Sequence, residues 1–398
     1  MPGDVMIANS KRGARVLLIG IAYAGFVALG LSGGLMGVAW PSVRESFGIS
    51  LDAIGLLLIT SNIGYLLSSF VSGPLISRIG VGCFLMLSSV MAGTGLIGYS
   101  LSPAWGTMVL LGLVTGLGGG AIDAGTNTYF ATNHSAVLMN WLHACFGLGA
   151  TLGPIIMTAV LTRGHSWRWG YVMAAASQIV LALCFGFTRT WWRLGESESS
   201  PESPDLPAGQ ASTSDTLRMP TMWFGIALFF MFTGIEATAG QWPYSLFTEV
   251  RSVAPTVAGL WVSIYWGSLT LGRVLFGIVA DHFEVTSLLR ACMLGVVLGA
   301  AGMWWNPIDR VSFLGLALMG FCLAPLFPMV TLRTPQRVGA AHAANAIGFQ
   351  VAAAGLGFAT LPGLAGVGAE NLGLEIVGPF LLGLSIVMFV LHEMTVRR

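Results

Sequence analysis

Apolar runs of about 20 residues recur along the whole 398-residue chain, and they constrain its fold more than any other feature. A helix rising 1.5 Å per residue needs about 20 residues to cross roughly 30 Å of hydrocarbon. Reading the runs against their breakers predicts spans near residues 15–40, 51–77, 81–101, 105–130, 139–162 and 167–190. A second set follows near 221–248, 255–280, 286–305, 310–332, 338–363 and 372–392. Backbone groups cannot stay unpaired in lipid, so such runs must be helical. Charged residues make up only 9% of the chain, against roughly 25% in soluble domains, and could not clothe a soluble surface. The expected fold class is an all-α integral membrane protein with twelve transmembrane helices in two pseudo-symmetric six-helix bundles.

The one clear boundary lies between the sets. Residues 191–219 contain GESESSPESPDLPAGQASTSD, which has almost no large apolar side chain and is expected to be a mobile cytoplasmic linker. The bundles are therefore expected at 1–190 and 220–398. With both termini in the cytoplasm, twelve Lys and Arg fall inside, among them Lys11, Arg12, Arg397 and Arg398, and five fall outside. That bias fits a multi-pass cell-membrane protein, expected in a bacterial inner membrane, with a retained first span.

Several chemistries are not expected. A net charge of +1 gives no reason for a nucleic-acid partner. The five cysteines are scattered without metal-ligand spacing, so no metal or disulfide is expected. No phosphate loop, metal-hydrolase pattern or nucleophile elbow is present, so neither a cofactor nor an enzyme is expected.

The halves echo one another. GPLISRIG (residues 73–80) follows the second span and GIVADHF (residues 277–283) follows the eighth. The fifth span opens with Asn140 and ends in GATLGP; the eleventh opens with Asn345 and ends in GLGFATLPG. Such repetition is expected of transporters built from internal repeats.

The sequence G-x-x-x-D-R-x-G after spans two and eight marks a resemblance to the major facilitator superfamily over nearly the full length. Ser77 stands where the acid is usual in the first copy and His282 where the arginine is usual in the second. Arg273 and Asp281 match. The resemblance implies gating roles for Arg78, Arg273 and Asp281. GLGGGAIDAGTNTY, MNWLHACFGLGATLGP, FTGIEATAGQW and FCLAPLFP together resemble the fucose/galactose/glucose:proton symporter branch. That branch places a carboxylate in its first span, and span one here has no acid, so proton coupling is not carried over from the resemblance.

An ionised side chain at the bilayer centre costs at least about 2.5–3.5 kcal/mol, so acids within spans face a cavity or a partner. Asp123 in span four and Glu236 in span seven are such acids, one in each half, and are expected across a central cavity. Gly116, Gly120, Asp123 and Asn127 share one helical face, as do Asn140, His143, Gly147 and Ala150. These faces offer either cavity lining or helix packing. His143 is a proton relay, a substrate contact or a packing group. Glu236 precedes a helix break at residues 240–243 and either exchanges protons or pairs with Arg273. Gln241, Trp242, Tyr265, Trp266, Asn345 and Gln350 complete the candidate substrate contacts. Flat aromatics with amide groups suit sugars, which present C–H faces and hydroxyl edges. Asn345 and Gln350, five apart, do not share one straight-helix face.

The leading expectation is a secondary transporter that moves a small polar solute, a sugar or polyol, by alternating access with protons. Asp123, Glu236 and His143 are the proton-coupling candidates. Proton-driven efflux of amphipathic compounds, uniport, and a non-transporting sensor or scaffold are the alternatives. Expected partners are the solute, protons and the bilayer, with the chain acting as a monomer.

Overall fold

The computed structural model describes residues 2–193, 211–279 and 282–396, without the side chains of residues 2–12, 136 and 279. Most of the expected linker, Asp281, Arg397, Arg398 and the side chains of Lys11 and Arg12 lie outside the described residues. Helices are the only regular structure among the described residues. The first set is α1 (Pro2–Phe47), α2 (Ile54–Ile79), α3 (Val81–Leu101), α4 (Trp105–Asn133), α5 (Ala136–Thr162) and α6 (Arg168–Thr188). A short α7 (Thr213–Leu217) precedes the second set of α8 (Pro220–Gln241), α9 (Pro243–Ser245), α10 (Pro255–Val279) and α11 (Val285–Trp305). The chain ends with α12 (Asp309–Leu323), α13 (Leu326–Val338), α14 (Ala340–Leu372) and α15 (Val377–Val396).

Among the described residues, eleven helical stretches are long and apolar enough to cross a membrane, with α12 and α13 forming one of them. The remaining long helix, α10, has 25 residues. Helices outrun the predicted spans at several ends. For example, α1 continues to Phe47, because polar residues extend a helix beyond hydrocarbon at no desolvation cost.

Breaks fall where backbone chemistry demands them. Pro243 and Pro325 lack an amide donor, and α8 gives way to α9, and α12 to α13, beside them. Gly339, at φ +84°, separates α13 from α14 in a conformation that a side chain resists.

Contacts divide the chain into two compact units. One comprises Met1–Leu35 and Thr60–Ser199; the other comprises Met36–Ile59 and Ser200–Arg398. In the first unit α3 packs on α4 and α6. α1 and α5 meet backbone to backbone: a Cβ on Gly149 would lie 2.0 Å from the Val27 carbonyl oxygen. Arg168 donates to the carbonyls of Ser100 (2.6 Å) and Ser102 (3.0 Å), closing the end of α3.

The second unit repeats these devices. α8 and α14 approach so closely that a Cβ on Gly357 would lie 2.0 Å from the Phe230 carbonyl oxygen. Arg251 donates to the Met303 carbonyl (3.1 Å), near the end of α11, and holds both carboxylate oxygens of Glu375 at 2.8 and 2.6 Å. Residues 36–59 join this unit through Arg44, which pairs with Glu249 at 2.5 Å, and through the Leu51 amide, which donates to Glu370 at 2.8 Å.

Candidate functional site

In the first unit the chemistry gathers around Asp123. The expected stripe on α4 is real, and its glycines face α2: a Cβ on Gly116 would lie 1.9 Å from the Ser61 carbonyl oxygen, and one on Gly120 would lie 2.4 Å from that of Tyr65. This close approach brings Tyr65 to the acid. Its hydroxyl donates to Asp123 Oδ2 at 2.5 Å, while Asn127, one turn along α4, donates to Oδ1 at 3.0 Å. Both carboxylate oxygens therefore have a neutral donor. His143 on α5 interacts electrostatically with the same carboxylate and meets Phe26 edge-on with ring centroids 5.6 Å apart. Asp123 and Asn127 are half-buried and His143 is exposed. Asn140 lies exposed near the start of α5, away from these bonds.

In the second unit the acid is Glu236 on α8. Arg273 on α10 donates from Nη2 to Glu236 Oε1 at 3.4 Å. Oε2 is buried and has no partner among the described residues. Gln241, five residues on, has a buried Nε2 in the same condition. Unpaired buried polar atoms cost about 1–3 kcal/mol each, so both of these groups gain from a partner. The Trp266 indole fills the space over Gly240, where a Cβ would lie 2.3 Å from Cζ2. Tyr265 donates its hydroxyl to the Glu236 carbonyl oxygen at 2.8 Å.

Other predicted contacts are occupied by the fold. Trp242 is fully buried and donates Nε1 to the Pro362 carbonyl at 2.9 Å, and Tyr265 is fully buried as well, so neither ring offers a surface to a solute here. Gln350 accepts from Thr334 at 2.9 Å, and its Nε2 occupies the space over Gly225. Asn345 donates to the Ala211 carbonyl at 3.0 Å and to Thr216 Oγ1 at 3.3 Å, tying α14 to the stretch before α8. An amide at a helix crossing is as useful to packing as to a ligand, and sequence spacing does not separate the two. Arg78 is exposed at the end of α2.

Tyr65 is the residue that sequence reasoning missed. A signal existed: Tyr65 and Ser68 recur as Tyr265 and Ser268 in the corresponding span of the other half.

Two sets of membrane-length helices, with broken helices in the second and an acid within the spans of each, define a multi-pass membrane transporter. The chain belongs to the Major Facilitator Superfamily, whose family model matches residues 22–251. It is 24% identical over 401 residues to "Bypass of stop codon protein 6" of Saccharomyces cerevisiae, covering 92% of this chain and 80% of that one. It is 22% identical to the glucose/mannose transporter GlcP of Bacillus subtilis, covering 77% of each chain. A solved structure of the nucleoside transporter NupG superposes with a TM-score of 0.78 at 14% identity, covering 95% of this chain and 99% of that one, which supports the fold. The family's task is transport of small molecules across a membrane, and this chain is a transporter rather than an enzyme.

Proposed function

We propose that the chain moves a small polar solute, a sugar or polyol, together with protons by alternating access. In this reading it acts as a monomer in a cell membrane, with both termini cytoplasmic. The observation that carries the reading is the half-satisfied carboxylate of Glu236, whose Oε1 meets Arg273 at 3.4 Å while Oε2 has no partner among the described residues. A buried acid in this condition gains by taking up a proton, and doing so weakens its hold on the guanidinium. Site occupancy thereby becomes coupled to helix position. Asp123, with His143 beside it, is the second exchanging group.

Solute chemistry follows from the neighbouring groups. Gln241 offers an amide donor to a hydroxyl, and the Trp266 ring suits the C–H face of a sugar. The glucose and mannose in the name of the Bacillus subtilis relative agree with that class. Purified protein in liposomes, loaded in turn with hexoses, hexitols and organic anions, should show counterflow for a hexose or hexitol, and a proton gradient should drive its accumulation. Counterflow confined to anions, or accumulation indifferent to the gradient, overturns the reading.

A further inference from the structure

We infer that Tyr65 is a positioning residue that sets the proton affinity of Asp123. The inference rests on the proposed proton coupling and goes beyond it by naming a group that controls the exchange.

The first observation is geometric. Tyr65 on α2 donates to Asp123 Oδ2 at 2.5 Å, from a neutral hydroxyl. A donor of this kind favours the ionised carboxylate and gives nothing comparable to the protonated one. Asn127 supplies a second donor, but from the same helix as Asp123, so it travels with the acid. Tyr65 comes from another helix. Of the two hydrogen-bonding donors it alone can be withdrawn by a shift of α2 against α4; His143 on α5 is the titratable group that faces the same carboxylate.

The second observation is the internal repeat. A Cβ on Gly120 would lie 2.4 Å from the Tyr65 carbonyl oxygen and 2.5 Å from Ser68 Oγ. A Cβ on Gly320 would lie 2.4 Å from the Tyr265 carbonyl oxygen and 2.5 Å from Ser268 Oγ. The same tyrosine, serine and glycine thus build the α2–α4 crossing in one unit and the α10–α12 crossing in the other. Three residues past the glycine the units part: Asp123 stands in the first and Leu323 in the second. Where the acid is absent, Tyr265 turns its hydroxyl to the Glu236 carbonyl, on the turn of α8 that carries the other buried acid. The crossing itself therefore does not need a tyrosine-to-carboxylate bond. In the first unit the hydroxyl is spent on Asp123, which is where the proposed chemistry resides.

The test is the pH profile of solute uptake by the full chain in liposomes, with counterflow measured alongside because it needs no net proton movement. Tyr65→Phe removes one oxygen and should move the midpoint of uptake upward by about one pH unit, a ten-fold change in proton affinity. Replacing Tyr65 with 3-fluorotyrosine makes the hydroxyl a stronger donor and should move the midpoint the other way. This substitution keeps the ring and serves if Tyr65→Phe fails to fold. In an Asp123→Asn background neither change should move any remaining midpoint. Opposite shifts that vanish with Asp123→Asn support the inference. Unchanged midpoints in a protein whose wild-type uptake depends on pH overturn it. Wild-type uptake that ignores pH overturns the proton-coupled reading itself.

Discussion

Arg273 holds Glu236 through one oxygen at 3.4 Å and leaves the other without a partner among the described residues, in a side chain that is 11% exposed. Breaking a buried pair by removing one partner ordinarily costs about 3–5 kcal/mol, because an uncompensated charge remains. The guanidinium here is 29% exposed and the contact is long, so the cost is smaller.

Arg273→Gln is therefore expected to lower stability by about 1–3 kcal/mol, and Glu236→Gln to cost less, because the charge it leaves unpaired, that of Arg273, is on the more exposed of the two side chains. The double substitution should recover part of the loss from Arg273→Gln. Thermal melting of the purified variants measures all three, and strict additivity would show that the pair does not interact.

Helix packing supplies a second expectation. Gly149→Ala and Gly357→Ala each place a Cβ 2.0 Å from a carbonyl oxygen of the facing helix, so the helices must part. A loss of about 1–3 kcal/mol is expected for each. Gly348→Ala, on the same helix as Gly357 but with nothing within 4 Å of its Cβ, should be neutral or stabilise by up to about 1 kcal/mol. Melting curves of the three variants separate packing from propensity.

A third expectation concerns acid. Glu284 caps α11 by accepting from the amides of Thr286 (2.9 Å) and Ser287 (2.6 Å), and these bonds hold its carboxyl down to about 2. A carboxylate held below its ordinary value of 4.5 stabilises the fold above that value. The contribution fades as pH falls toward about 2. Glu284→Ala should melt below the wild type at pH 6, and the gap should close as pH is lowered from 4.5 toward 2. A gap that persists at the acid end would assign the stabilisation to something other than the ionised cap.

The helices were legible because lipid leaves a long apolar run few alternatives. The break after Gln241 was legible too, since Pro243 cannot donate. Gly116 and Gly120 were placed on one face with Asp123, but their partner was not. Only the structure shows that this face meets α2, and only then does Tyr65 become the neighbour of Asp123. Trp242, Asn345 and Gln350 carry chemistry that serves a sugar or a helix crossing equally well, and the choice between the two lies in contacts distant in sequence. The joining of residues 36–59 to the second unit by contact was likewise beyond reach, because chain order gives no hint of it.

Proton-driven solute uptake across a range of external pH, in liposomes holding the wild type, Asp123→Asn or Glu236→Gln, tests the account most directly. The wild type should accumulate a hexose or hexitol against its gradient in a pH-dependent manner. Each variant should lose accumulation by at least about ten-fold, equal to 1.4 kcal/mol of coupling, while still exchanging solute in counterflow. Full accumulation by both variants, with the wild-type pH profile, would contradict it.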